Sequence, residues 1–303
     1  MNRCVFIHTN ERQWLGALVA AYSFRRNARQ PDSFDVRFIH TRDHPFLAAK
    51  EGQPFLRGGT TRVWRMADLQ SFTPLRFLPP KLMNWEGRAV VTDPDVFAVG
   101  DIGELLDRDM GGAAVMGRHR SGKAEKEHQV ATSVMLLDCA RLRHWDAEKQ
   151  FDELFRFEKD YKEWMVLAYE DPANIGYLEE CWNDFDHLDA NTRLLHNTKR
   201  RTQPWKTGLP VDYTPADKFK DKPLLGALNR LRARLFGEYG LLGHYREHPD
   251  SAQEAFFFGL LKECLESGEI SEDVVRQEIS RNHVRHDAFE VLDRTPAMKA
   301  RAA

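Results

Sequence analysis

Asp93 and Asp95 flank a proline directly after the apolar run Ala89-Val90-Val91, and no other short stretch of the chain concentrates as much possible chemistry. Two carboxylates this close together at the end of a strand suit a hard divalent cation held at a sheet edge, with coordination positions left for the oxygens of a diphosphate. That is a nucleotide-sugar site in outline. Asp and Pro are also turn residues, so the same three positions read equally well as the turn that terminates a strand. A motif this short takes its meaning from its surroundings.

Those surroundings alternate short apolar runs with helical patterns. A first strand is expected over 5–7, then a helix over 11–28 from the spacing of Trp14, Leu15, Leu18, Val19 and Tyr22, then a strand over 34–40. Strand, helix, strand is the unit that gives parallel pairing with a covering helix. Further strands are expected over 89–92, 113–117, 130–137 and 193–196, with a helix over 140–157. The predicted fold class is α/β, a mostly parallel sheet flanked by helices. In open sheets of this kind ligands gather outside the carboxyl ends of the strands. His8-Thr9-Asn10, Asp93-Pro94-Asp95 and His196 all fall at predicted strand ends.

Composition narrows the partners. The 303 residues suffice for one large domain with an extension, or for two domains. A hydrophobic fraction of 42% argues against wholesale disorder, and a formal net charge of -2 gives no polyanion-binding signature, so nucleic acid is not an expected partner. Cys4, Cys139, Cys181 and Cys264 are scattered without Cys-x-x-Cys spacing, which suggests reduced thiols of a cytoplasmic protein. The opening MNRCVFIHTNERQW lacks the apolar run of a secretory signal, and no stretch reaches membrane-spanning length.

The segments FTPLRFLPPKLMNWEGRAVVTDPDVFAVGDI, ATSVMLLDC, IGYLEECWNDFD and TRLLHNTKRRTQPW follow one another in an order that resembles glycosyltransferase family 8 and its relatives, retaining transferases of GT-A (Rossmann-like) fold. The resemblance spans residues 3–208 and rests on the ordered set: Asp93 and Asp95 after a core strand, Ser133 to Leu137 in a second strand, and His196 ahead of Pro204-Trp205. It implies a metal-dependent enzyme that moves a hexose from a UDP-sugar to a hydroxyl acceptor with retention. It also implies that Asp93, Asp95 and His196 hold a divalent ion, usually Mn2+, and that Asp93 reaches the ribose. Thr9 and Asn10 would lie against base and ribose, Arg76 against the donor, and Glu170-Asp171 near the anomeric carbon. Trp182-Asn183 matches a pair that is structural in relatives.

The phosphate loop departs from the family pattern. Lys199 stands three residues after His196 where a Gly is usual, Gln203 replaces the Lys before Pro204, and the loop is one residue longer. Lys199, Arg200, Arg201 and Lys206 surround the gap, so one of them could meet the leaving diphosphate. The run reads alternatively as a solvated surface loop. This departure motivates a second hypothesis, an inactive nucleotide-sugar-binding or scaffold protein. A metal-dependent nucleotidyltransferase using the same two aspartates is a third, disfavoured because no Gly-rich phosphate loop follows the first strand. Beyond the catalytic domain, expected over 1–208, a helical extension over 209–303 carries Leu224, Leu225, Leu228, Leu231 and Leu235 interleaved with Arg230, Arg232 and Arg234. Such a segment, 224–236, either packs on its own domain with its arginines in water or lies on an anionic membrane surface. Helix starts are expected at Ser251 and Ser271, the first helix ending at Ser267-Gly268 and the second running to 292.

Overall fold

The computed structural model describes residues 2–120, 129–213 and 242–298, with Leu228, Leu231, Arg232 and Leu235 between the last two stretches. In chain order the strands are β1 (Arg3–Thr9), β2 (Asp35–His40), β3 (Pro54–Leu56), β4 (Thr61–Val63), β5 (Arg88–Thr92), β6 (Val96–Ala98), β7 (Val115–His119), β8 (Val130–Asp138), β9 (Ile175–Leu178), β10 (Asp184–Phe185) and β11 (Leu194–His196). Six of them form the central sheet, in the order β2-β1-β5-β8-β7-β9. Every pairing is parallel except those of β8, which runs against both β5 and β7. The fold is thus α/β with a mostly parallel sheet, and the carboxyl ends of β1, β2, β5, β7 and β9 share one edge.

Burial explains the composition of these strands. Val5, Phe6, Ile7, Ala89, Val90 and Val91 are fully buried, as expected of strands covered on both faces. The helix Trp14–Asn27 covers one face with small residues, Gly16, Ala17, Ala20, Ala21 and Ser23, that allow close approach. Ser23 Oγ accepts from Ala98 N at 2.8 Å and Asn27 Nδ2 donates to Ala98 O at 2.7 Å, so this helix also clamps β6. On the other face an apolar cluster joins Phe6, Val91, Met135 and Leu137 to Phe72, Leu75, Phe77, Trp145, Phe151 and Trp164.

The helix expected over 140–157 is shorter, Ala147–Phe155, because Asp146 caps its start by accepting from Lys149 N at 3.1 Å. Five strands lie outside the expected set, β3, β4, β6, β9 and β10; each has four residues or fewer, too few for a period to register. β10, β11 and β6 make a separate three-stranded sheet, so His196 sits on a small second sheet and not on the central one.

The described residues form two compact units, residues 2–66 with 71–198, and residues 67–70 with 199–298. The crossing falls between Thr198 and Lys199, ahead of the boundary expected at 208. In the second unit Leu69, Leu209, Val211, Tyr213 and Tyr245 form a small core. Trp205 stacks on Phe257, ring centroids 4.6 Å apart. Helix Ser251–Glu266 starts and stops where its residues predict, with Asp250 as cap and Gly268 at φ 75 just beyond. The single helix expected from Ser271 is two, Glu272–Ser280 and Ala288–Arg294. Between them Asn282 takes a left-handed φ of 58 and Arg285 turns inward to Glu254 at 2.7 Å and Asp287. Leu228, Leu231 and Leu235 are exposed, at 57%, 52% and 66%. Leu224, Leu225, Arg230 and Arg234 lie outside the described residues. Among those residues no helix is long and apolar enough to cross a membrane.

Candidate metal and diphosphate site

β6 builds the site. Leaving β5, the chain turns through Asp93-Pro94-Asp95, with Asp93 N donating to Ser133 O at 3.0 Å and Val96 N to Asp93 O at 3.3 Å. It then enters β6, which pairs antiparallel with β11 in the register Val96 opposite His196. Asn197 N donates to Asp95 O at 3.1 Å and completes the junction. A three-residue strand thereby carries the imidazole to the aspartate corner. One donor atom from each of Asp93, Asp95 and His196 lies within 4.8 Å of the others, and all three residues are buried.

The two aspartates have different surroundings. Asp93 is gripped by Arg76, whose Nη2 lies 2.6 Å from both carboxylate oxygens and whose Nε donates to Oδ1 at 3.1 Å. Arg76 Nη1 donates to Thr132 Oγ1 at 2.9 Å, and Thr132 in turn donates to Met165 O at 2.7 Å. His8 Nε2 lies 2.7 Å from Asp93 Oδ1. Burial by itself would raise the Asp93 pKa, but Arg76, His8 and His196 outweigh it and hold the carboxyl far below the usual range. Burial pushes the His8 pKa down, against a smaller opposing pull from Asp93.

Asp95 faces His196 instead, with Oδ1 3.4 Å from Nε2. Burial lowers the His196 pKa, yet Asp95, Asp93 and Asp186 more than compensate and leave it above its ordinary value. A cation at Nε2 competes there with a proton. Nδ1 of the same ring contacts Asn183 Oδ1 at 2.8 Å, and the edge of Phe185 packs on it at 5.5 Å.

The donor set fits a divalent ion. Bonds of about 2.0–2.2 Å from one cation place its ligand atoms up to about 4.4 Å apart, a span compatible with donor atoms that lie within 4.8 Å of one another. Two carboxylates and one imidazole, without thiolate and with positions left open, suit Mn2+ better than a closed structural zinc site. A second group, Asp184, His187 and Asp189, is less buried. Its members bond one another and Thr192, and Asp189 caps a turn by accepting from Asn191 N at 2.7 Å.

Thr9 and Asn10 end β1, next to β5, on the same edge as Asp93. Both are buried, Thr9 Oγ1 donating to Asn10 O at 3.2 Å, Asn10 Oδ1 capping Arg12 N at 3.1 Å and Nδ2 donating to Ser71 Oγ at 3.0 Å. Arg76, expected against the donor, engages all three of its nitrogens with Asp93, His8 and Thr132 and acts as the support beneath Asp93.

Glu170 and Asp171, expected near the reacting carbon, are not brought to this edge. They precede β9, whose Ile175 is in register with Val115, as Val115 is with Leu137 and Leu137 with Ala89. That places them at the start of β5, whereas Asp93 follows its end. Glu170 accepts from Trp145 Nε1 at 2.7 Å, His144 Nε2 at 2.8 Å and Asn174 Nδ2 at 2.8 Å, and Asp171 caps the next turn by accepting from Ala173 N at 2.9 Å.

Lys199, Arg200 and Arg201 open the second unit. Lys199 is exposed, Arg200 lies 4.8 Å over the Tyr213 ring, and Arg201 bonds Leu242 O. Lys206 is fully buried with Nζ 3.0 Å from Asp212, which also accepts from the Tyr245 hydroxyl, so Lys206 is committed to the core of its own unit. Four residues at the site have no site role in the sequence reading: His8, noted only as a strand end, Ser133 and Asn183, noted only as members of ordered motifs, and Thr132, which lies inside an expected strand.

No model of a known protein family matches the chain, and no curated protein matches it. Among solved structures it is similar to the galactosyltransferase LgtC in complex with donor and acceptor sugar analogues, at 16% identity and TM-score 0.48 over 67% of this chain and 89% of that one. It is also similar to the glycosyltransferase GlyE of Streptococcus pneumoniae TIGR4 (14%, TM-score 0.45, 68% of this chain and 56% of that one). Mouse xyloside xylosyltransferase 1 is a third (15%, TM-score 0.42, 65% and 98%). The chain thus resembles these glycosyltransferases in structure alone, each at a TM-score below 0.5.

Proposed function

We propose that this protein is a metal-dependent retaining glycosyltransferase of family 8 type, moving a hexose from a UDP-sugar to a hydroxyl acceptor. The observation that carries the reading is the convergence of Asp93, Asp95 and His196, buried and within 4.8 Å of one another, at the edge where the parallel strands end. The ordered motifs over 3–208 supply the substrate class. A divalent ion held by these three residues, Mn2+ in this reading, supplies charge neutralisation to the departing diphosphate.

The chain's own groups divide the remaining tasks. Arg76 and His8 keep Asp93 ionised and fixed, so that it enters the reaction without reorganising. Thr9 and Asn10, at the neighbouring strand end, receive base and ribose. Lys199, three residues beyond His196 in the chain, and Arg201 are the cations proposed for the diphosphate in place of the usual lysine. Glu170 and Asp171, at the opposite edge of the sheet, are left out of the chemistry. The exposed Leu228, Leu231 and Leu235 beside Arg232 support a peripheral contact with the anionic inner face of a membrane, in a cytoplasmic protein.

Two observations favour a second reading, a nucleotide-sugar-binding protein without transfer activity: Gln203 stands where the family has its phosphate-contacting lysine, and no carboxylate pair from 170–171 reaches the site. Calorimetry of UDP binding with Mn2+ and with chelator, followed by UDP-sugar hydrolysis, separates the possibilities. Mn2+-dependent binding with release of UDP and free sugar supports transfer, and Mn2+-dependent binding without turnover supports the second reading. Equal affinity in chelator and in Mn2+ would remove both.

A further inference from the structure

His196 is oriented by a residue outside the donor motifs. Asn183, fully buried, ends the short turn Glu180–Asn183 ahead of β10 and presents Oδ1 to His196 Nδ1 at 2.8 Å. Its Nδ2 donates to Ser133 Oγ at 2.9 Å, and its carbonyl accepts from Arg118 Nη1 at 2.8 Å. The Ser133 carbonyl in turn accepts from Asp93 N at 3.0 Å. One side-chain amide therefore ties β8, and through it the aspartate corner, to the imidazole on β11.

The chemistry of the ring gives this contact a direction. A neutral imidazole has one nitrogen with a lone pair and one with a proton, and coordination at one nitrogen requires the proton on the other. Here Nε2 faces Asp95 and Nδ1 faces Asn183. When Nε2 holds a cation, and equally when the ring is charged, Nδ1 carries a proton that needs an acceptor, and Asn183 Oδ1 supplies it in both states. The Ser133 hydroxyl takes the opposite end of the amide, which holds the oxygen toward the ring. An amide does this without adding a third anionic charge to Asp93 and Asp95, one of which Arg76 already offsets.

We propose that Asn183 is a positioning residue that holds His196 in the Nδ1–H form and aims Nε2 at the ion, an inference that rests on the metal reading above. Outer partners of this kind typically change metal affinity ten- to a hundred-fold when removed. The test measures Mn2+ affinity in the presence of UDP, by the electron paramagnetic resonance of free Mn2+, for wild type, Asn183→Leu and Asn183→Asp, with circular dichroism as the check on folding. Asn183→Leu, of similar volume without an acceptor, is expected to lose ten- to a hundred-fold in affinity. Asn183→Asp, which keeps the acceptor, is expected to stay within a few-fold of wild type. A folded Asn183→Leu with wild-type affinity would overturn the proposal, as would an Asn183→Asp that falls equally far, because packing and not the acceptor would then be responsible. Should Asn183→Leu fail to fold, 15N spectra of the wild type loaded with Mg2+ and UDP decide the matter: a ring proton on His196 Nδ1 supports the role, and one on Nε2 overturns it. A wild type that binds no Mn2+ is a distinct result, seen before any variant is made, and removes the metal reading itself.

Discussion

Asp93 and Asp95 are two residues apart and chemically unequal. Arg76 and His8 hold the first; the second answers to His196. Asp95→Ala should therefore remove Mn2+-dependent UDP binding with a loss on the order of 2–4 kcal/mol, about thirty- to a thousand-fold in affinity, measurable by calorimetry. Arg76→Ala should act differently, because it leaves a buried carboxylate without its partner. A stability loss of about 3–5 kcal/mol is expected in denaturant titrations without any ligand, beyond what a residue touching only the donor would give. Proton linkage gives a further test. The His196 pKa is raised above its ordinary 6.5, so the charged ring stabilises the metal-free fold below that value, and this contribution is lost as pH rises through the raised one. Metal binding has the opposite sign. Mn2+ affinity should be flat above the raised pKa and fall about tenfold per pH unit below it, with uptake of Mn2+ releasing a proton. A profile independent of pH from 5 to 9 would exclude His196 as a ligand.

At the scale of elements, the register of β6 against β11 is what brings His196 to Asp95. Side chains alternate along a strand, so a one-residue slip reverses which face each of them takes. An alanine inserted between Asp95 and Val96 should abolish Mn2+ binding while circular dichroism shows the central sheet intact; retained binding would mean that this pairing does not set the site. The loop beyond β11 depends on a different device. Lys206, Asp212 and Tyr245 form a buried charged knot, and Arg246 N donates to Arg201 O at 2.7 Å. Lys206→Met should cost about 3–5 kcal/mol by leaving Asp212 buried without its cation, whereas exposed Lys199→Ala should change stability by less than about 0.5 kcal/mol and act on turnover instead.

At the scale of the molecule, the thiols report on integrity. Burial pushes Cys4, Cys139 and Cys264 up to about 12, so in the native protein at pH 8 they stay protonated and unreactive. Ellman's reagent should find at most Cys181 in native protein and all four thiols in denaturant; rapid reaction of more than one thiol before unfolding would contradict the packing of both units.

The sequence alone determined the alternation of strands and helices, because buried parallel strands must be short unbroken apolar runs, and it determined the aspartate corner, because Asp-Pro-Asp after Ala89-Val90-Val91 is local chemistry. The ordered motifs also pointed to His196. What only the tertiary structure decided is which side chains complete the site and which never reach it. Arg76 beneath Asp93, Asn183 behind His196 and the pairing of β6 with β11 all join residues far apart in the chain, and none leaves a period or spacing to read. Glu170 and Asp171 illustrate the converse: their sequence position matched the expectation, but the parallel run of β9 beside β7 fixes them at the opposite edge of the sheet. Local sequence sets what each segment can be; strand order and register, which are non-local, set which ends meet.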